Sequence, residues 1–285
     1  MEINPPPNPE KLGGKAFQLY RLREICRVPP FFVLSFDSTS EIEDADVQHS
    51  IRQLWDDSGF TVAAVRSSAS VEDSASRSFA GIFESILGVS ADNLIGAVEK
   101  VLKSVQSDRV QSYMEAHGIS VPRIRMNVIV QELLAARTAG VSFTRLDQSK
   151  NQVVVEACFG LGEALVSGKV SPDTYFVNRD DLSIEQKKIA YQSNFLALDE
   201  TGTTSYRQVP FFKKTAQKLS DREIKDVAEL ALSIENRLSL FPADVEWAFE
   251  GDALFALQAR RFTGVPDPGS AELTQGLGPQ TGETF

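Results

Sequence analysis

The sequence predicts an α+β protein with mixed or antiparallel sheets and a cleft between two halves. Helical spacing dominates the early part of the chain, while strand-like runs and a hairpin crowd the later part. Its 285 residues, 42% hydrophobic and 24% charged, suffice for one large or two medium domains with an ample core. The division between the halves is expected near residue 125, with a first lobe over 1–125, a second over 126–265 and a tail over 266–285.

The net charge of −10 predicts that the molecule as a whole repels nucleic acid and anionic membranes. A local cationic cleft is compatible with that total, because it depends on arrangement. Cys26 and Cys158 lie far apart in apolar contexts, without CxxC or metal spacing, and read as reduced core thiols. The start, MEINPPPNPEKLGGK, has no apolar leader segment, and no window reaches the roughly 18 apolar residues of a membrane span. A cytoplasmic protein is the expectation.

Each element has its own signal. Residues 1–14 read as an extended arm, and Lys15–Cys26 carries Phe17, Leu19, Leu22 and Ile25 at helical spacing. VPPFFVLSFDS reads as a strand entered from a proline corner, the stretch from Asp44 to Trp55 as a helix, and TVAAVRSS as a strand. FESILGV is a further strand, with Glu84 and Ser85 on opposite faces. A long helical region starting at ADNLIGAVEK closes at Gly118. RIRMNVIVQELL, GVSFTRL, NQVVVEACFG and DTYFVNR follow as strands, and the polar stretch Lys187–Lys218 holds a β-excursion. SDREIKDVAELALSIENRLS is an amphipathic helix with Ser220 as N-cap and Glu223 completing a capping box. ADVEWAFEGDALFALQARRF is a hairpin turning at Gly251.

Four stretches carry chemistry. In AVRSSASVEDSASRSFAG, Arg66 ends a β-run and is followed by small hydroxylated residues. A guanidinium fork suits phosphate oxygens, and Gly81 would let backbone N–H groups approach an anion. The same composition also describes a surface loop with an arginine in an ion pair. In the hairpin, Asp244, Glu246 and Ala248 share one face, and Gln258 and Arg260 share a face of the partner strand. Glu246 and Gln258 can then be cross-strand neighbours, offering hard oxygens to Mg²⁺ beside a cation for phosphate. The alternative there is a plain Glu246–Arg260 ion pair.

GGK at Gly13–Lys15 lacks the P-loop frame, yet a lysine at a helix start sits against the dipole, which suits a nearby anion. GLGEALVSGK lacks the third glycine of a dinucleotide fingerprint and reads as turns holding two strands in register. His49 and His117 read as surface or helix-end residues without a nucleophilic triad around them.

Taken in order, GGK…VPPFFVL, AVRSSASVEDSASRSFAG, VIVQELLAARTAGVSFT, GLGEALVSGKVSPD and DVEWAFEGDALFALQAR resemble the nucleotide-binding domain of pyruvate phosphate dikinase and phosphoenolpyruvate synthase. Rifampin phosphotransferases share that domain, and the resemblance covers about residues 12–263. It implies an ATP-grasp fold whose lobes clamp ATP with Mg²⁺. It further implies that Lys15 and Arg66 hold phosphates, with Gly81 and Ser85 in a hairpin above them. Gln131 with the Glu132–Leu133 backbone would line the adenine pocket, Glu246 and Gln258 would coordinate Mg²⁺, and Arg260 would stabilise the transferring phosphoryl group.

Two positions depart from the family pattern: Ile82 stands where glutamine is usual, and Ser85 where threonine is usual. Neither histidine has the context of the phosphorylated histidine that multidomain relatives carry. The implied activity is therefore ATP-dependent phosphoryl or pyrophosphoryl transfer to a histidine on a separate domain or chain. The alternatives are a stand-alone kinase or ligase acting on a small-molecule acceptor, and a non-catalytic nucleotide-binding subunit.

Overall fold

The computed structural model describes residues 1–69, 84–108, 110–112, 126–147 and 149–262. Two antiparallel sheets organise them. The first has strand order β1 (Glu2–Ile3), β2 (Phe31–Ser35), β5 (Met126–Glu132), β3 (Ala63–Ala69) and β4 (Ser85–Val89). The second runs β13 (Ala253–Arg261), β12 (Ala243–Glu250), β6 (Thr138–Phe143), β7 (Gln152–Phe159), β8 (Asp173–Asn178) and β9 (Ile184–Lys188). A separate hairpin pairs β10 (Asn194–Leu198) with β11 (Thr204–Gln208).

The period-two pattern of the first sheet explains its packing. Phe32, Leu34, Val65, Val128 and Val130 face one side, against α2 (Ala45–Ser58) and α3 (Leu94–Lys103), with Trp55, Leu94 and Val98 in that core. Val33 and Ile129 face the other side, against α1 (Pro9–Arg23). The same core takes in Val245, Ala256 and Ala259 of the second sheet, so α1 is wedged between the two. The helix that sequence places at Asp221–Leu238, α5, covers the second sheet with Ile224, Val227 and Ala228 against Trp247 and Tyr175. Its capping box forms as expected: the Glu223 N–H donates to Ser220 Oγ, and the Ser220 N–H donates to the Glu223 carboxylate at 2.7 Å. Such a cap contributes about 1 kcal/mol.

Three sequence expectations need correction. The arm over 1–14 is not all extended: β1 pairs with β2, and helix begins at Pro9, broken at Gly13. The division near 125 falls one strand early, since β5 is the middle strand of the first sheet and the chain changes sheets between Glu132 and Thr138. GLGE does not make only turns, because Glu163–Val166 forms one helical turn, α4, between β7 and β8. The long helix expected through Gly118 is helical over Leu94–Lys103 and continues as a 3-10 turn over Ser104–Gln106; Gly118 lies outside the described residues. Among the described residues no helix is long and apolar enough to cross a membrane.

Candidate active site

Register places the charged groups. On β3 the alternation that buries Val65 turns Ala64, Arg66 and Ser68 to the α1 side, opposite Gln131, Ile129 and Asn127 of β5. Ser85 on β4 pairs with Arg66, while Glu84 turns away to meet Lys100 at 2.7 Å. In the second sheet Asp244 pairs with Arg260 and Glu246 with Gln258, across β12 and β13.

The pairing then slips, because Trp247 opposes Ala256 and Leu257 is left as a bulge. Strict alternation would put Ala256 on the face of Gln258 and Arg260. The bulge instead lets Ala256 and Ala259 enter the core while Leu257, Gln258 and Arg260 all reach the cleft.

A cavity of about 290 Å³ between the sheets collects the groups that sequence singled out. Lys15, Arg66, Ser85, Leu133, Glu246, Gln258 and Arg260 all line it. Beside it a narrow apolar slot of about 30 Å³ is walled by Ala64, Leu134, Ala139, Leu161, Ala248 and Leu257, with Gln131, Glu132 and Leu133 at its edge. Arg66, Leu133, Leu161, Gly162 and Leu257 line both spaces, which therefore share a wall. Gly81 and Ile82 lie outside the described residues, as does His117; His49 is exposed on α2.

The electrostatics distinguish the three cations. Arg66 Nη1 lies 4.0 Å from Glu246 Oε2, across the gap between the sheets. Arg260 is gripped by Asp244, whose Oδ2 accepts from its Nε at 2.9 Å and its Nη2 at 2.7 Å. The Glu246–Arg260 ion pair weighed from sequence is thus replaced by Asp244–Arg260, and Glu246 turns to Arg66. Lys15 stands in the first turn after the break in α1, where the helix dipole disfavours a cation and welcomes an anion.

Sequence reasoning missed several wall residues. Glu163, brought in by α4, lines the cavity. Loss of water among the cleft walls raises its carboxyl above the usual range, with Arg66 opposing and Glu246 adding to the rise. Glu156 lies in the same cross-strand row as Glu246, and its pKa is raised by burial first and by Asp244 second. The only signal for Glu163 was the carboxylate in GLGE; Leu257 had none, since a bulge leaves no mark on alternation.

The edge of the slot has its hydrogen bonds partly committed. The Glu132 N–H donates to Pro30 O at 2.9 Å and the Leu133 N–H to Val62 O at 3.0 Å. Gln131 is buried, with Nε2 3.5 Å from Pro29 O. The Glu132 and Leu133 N–H groups are thus committed to protein carbonyls. Neither cysteine offers a thiolate: burial pushes the Cys158 thiol up to about 12 and the Cys26 thiol up to about 11.

Two sheets facing each other across a cationic cleft with an adjoining apolar slot make this an α+β protein of ATP-grasp architecture. Residues 44–275 match the family described as pyruvate phosphate dikinase, AMP/ATP-binding domain, and the chain belongs to that family. Lys15 precedes the matched region, so its place at the site rests on geometry.

A probable phosphoenolpyruvate synthase of Methanocaldococcus jannaschii is 41% identical over 203 residues, 70% of this chain and 17% of its own length. The phosphoenolpyruvate synthase of Pyrococcus furiosus is 31% identical over 84% of this chain and 31% of its own. The prodigiosin synthesizing transferase PigC of Serratia marcescens is 30% identical over 91% of this chain and 32% of its own. The chain thus spans a third or less of these relatives. Among solved structures, a D-alanine–D-alanine ligase from Helicobacter pylori aligns with 89% of this chain and 55% of its own, at 9% identity and a TM-score of 0.43.

Proposed function

We propose that the cleft binds ATP with Mg²⁺ and that the chain passes a phosphoryl or pyrophosphoryl group to an acceptor, a histidine on a separate domain or chain. One observation carries the reading: Lys15 from α1, Arg66 from the first sheet and Arg260 from the second line one cavity with Glu246 and Gln258. Three cations from separate elements are what a polyphosphate requires, since phosphoryl transfer needs positioning and charge neutralisation more than covalent help.

The residues fit Mg²⁺. No cluster of three or more His, Cys, Asp or Glu able to hold a metal occurs among the described residues. Mg²⁺ usually takes only one or two protein oxygens and completes its shell with phosphate and water. Glu246 and the amide oxygen of Gln258, paired across the ladder, would supply them. The ion would neutralise phosphate charge when bound. Arg260, its fork oriented by Asp244, would face the phosphoryl group in flight, and Lys15 and Arg66 would hold the remaining phosphates. The adenine would lie against Gln131, Glu132 and Leu133 beside the larger cavity, since the slot, at about 30 Å³, has room for little more than water.

Calorimetric titration with ATP and Mg²⁺ tests the first step, with saturable binding expected and its loss in Arg66→Ala. Phosphorus NMR of the products, with and without candidate histidine acceptors, then tests transfer and distinguishes AMP from ADP. Absence of Mg²⁺-dependent ATP binding overturns the reading.

A further inference from the structure

We propose that Ser68 is a positioning residue for Lys15, acting through the break in α1. This rests on the reading that Lys15 meets phosphate, and adds the group that sets where the lysine stands. The helix is interrupted at Gly13, whose φ of 73° and ψ of 166° are outside helical values. A side chain there would meet the Ala69 carbonyl oxygen at 2.3 Å, so strand β3 and the break fit against each other without a gap.

Breaking a buried helix orphans a carbonyl before the break and an N–H after it. One hydroxyl satisfies both. Ser68 Oγ donates to Leu12 O at 2.7 Å and accepts from the Ala16 N–H at 3.0 Å. Leu12, Ala16 and Ser68 are all fully buried, which leaves water no part in the arrangement. Asn127 on β5 reinforces it, its Nδ2 donating to Lys11 O at 2.8 Å and to Ser68 O at 3.2 Å.

The consequence lies in spacing. Ser68 and Arg66 are two residues apart on β3 and project from the same face. Ser68 holds the backbone N–H of Ala16, the residue next to Lys15. The strand that carries one phosphate cation therefore also fixes the helix turn that carries the other. Their separation is set by two residues of strand rather than by looser helix-on-sheet packing. The hydroxylated residues after Arg66 gain a role here that differs from touching an anion.

A double-mutant cycle on the full chain tests the link. MgATP affinity is measured by calorimetry for the unsubstituted protein, Ser68→Ala, Lys15→Ala and the double variant. Ser68→Ala is expected to weaken binding about tenfold, and the double variant to bind no more weakly than Lys15→Ala alone. Effects that simply multiply, or an unchanged Ser68→Ala, overturn the proposal.

Reductive ¹³C-methylation provides a reading without nucleotide: the Lys15 resonance, identified by its loss in Lys15→Arg, should shift in Ser68→Ala. An unmoved resonance overturns the positioning role whatever ATP does. A moved resonance in a protein that does not bind MgATP supports the link and overturns the cleft reading instead. Should Ser68→Ala fail to fold, Ser68→Cys, which keeps the shape but offers only a weak donor and acceptor to Leu12 O and the Ala16 N–H, provides the same two readings.

Discussion

Arg66 of the first sheet and Glu246 of the second approach to 4.0 Å, an ionic contact between the two sheets. Both side chains are partly exposed, so the contact contributes at most about 1 kcal/mol and yields readily to competing partners. A triphosphate with its cation would insert here, giving Arg66 phosphate oxygens and Glu246 a metal. Glu246→Gln removes the competitor for Arg66 together with the carboxylate proposed to hold Mg²⁺. Metal-free ATP should then bind several-fold more tightly than to the unsubstituted protein, while Mg²⁺-dependent turnover falls by at least about a hundredfold. Calorimetry with and without chelator, alongside a turnover assay, checks both halves; unchanged turnover removes Glu246 from the metal assignment.

Arg260 is held by two hydrogen bonds to one oxygen of Asp244, an arrangement that needs a planar fork. Lysine in its place keeps the charge and loses the orientation. Arg260→Lys should reduce kcat by about a hundredfold with little change in ATP affinity, because the group is assigned to the transferring phosphoryl. Steady-state kinetics beside a binding titration measure the split. Equal losses in kcat and affinity would assign Arg260 to ground-state binding.

Glu156 titrates above the usual carboxylate range through burial and the nearby Asp244. Its folded pKa exceeds its unfolded value, so the native state holds the proton more tightly than the unfolded chain. Its contribution to stability is therefore favourable at low pH and is lost as pH rises through that window. Glu156→Gln should raise the melting temperature at pH 7 relative to the unsubstituted protein, with the difference shrinking toward pH 4. Thermal unfolding followed across that pH series decides it; a pH-independent difference would show that packing, not ionisation, is responsible.

Gly140 on β6 pairs directly with Trp247 on β12. A Cβ there would lie 1.8 Å from Glu156 O and 2.6 Å from the Trp247 ring. The first neighbour is backbone and the second a fully buried indole, so neither yields cheaply. Gly140→Ala should destabilise the protein by about 3 kcal/mol or more, readable by denaturant unfolding. A loss below about 1 kcal/mol would mean that the second sheet is less rigid than its packing indicates.

Much of the architecture was legible in the sequence because local physics specifies it. Ser220 and Glu223 announce the start of α5, β12 and β13 show their turn at Gly251, and Arg66 stands on the strand its β-branched neighbours predict. Of the residues that line the cavity, Lys15, Arg66, Ser85, Leu133, Glu246, Gln258 and Arg260 were named from the motifs and the resemblance they carry. For Arg66, Ser85, Glu246, Gln258 and Arg260 strand register does the placing; Lys15 on α1 and Leu133 beyond β5 are brought in by packing.

What the sequence could not decide was which carboxylate each arginine meets. Glu246 and Asp244 share one β-face with Arg260 opposite; cross-strand register awards Asp244 to Arg260, and the packing of one sheet on the other brings Glu246 to Arg66. The bulge at Leu257, the helical turn at Glu163 and the break at Gly13 share that origin. Each is a long-range fit between elements distant in the chain, and no local propensity records it. Sequence alone determined the family and which side-chain types stand at the motif positions, because side-chain type and period are local properties. Tertiary structure alone decided their pairing, because Coulombic and steric contacts across the cleft exist only once both sheets and α1 are packed together.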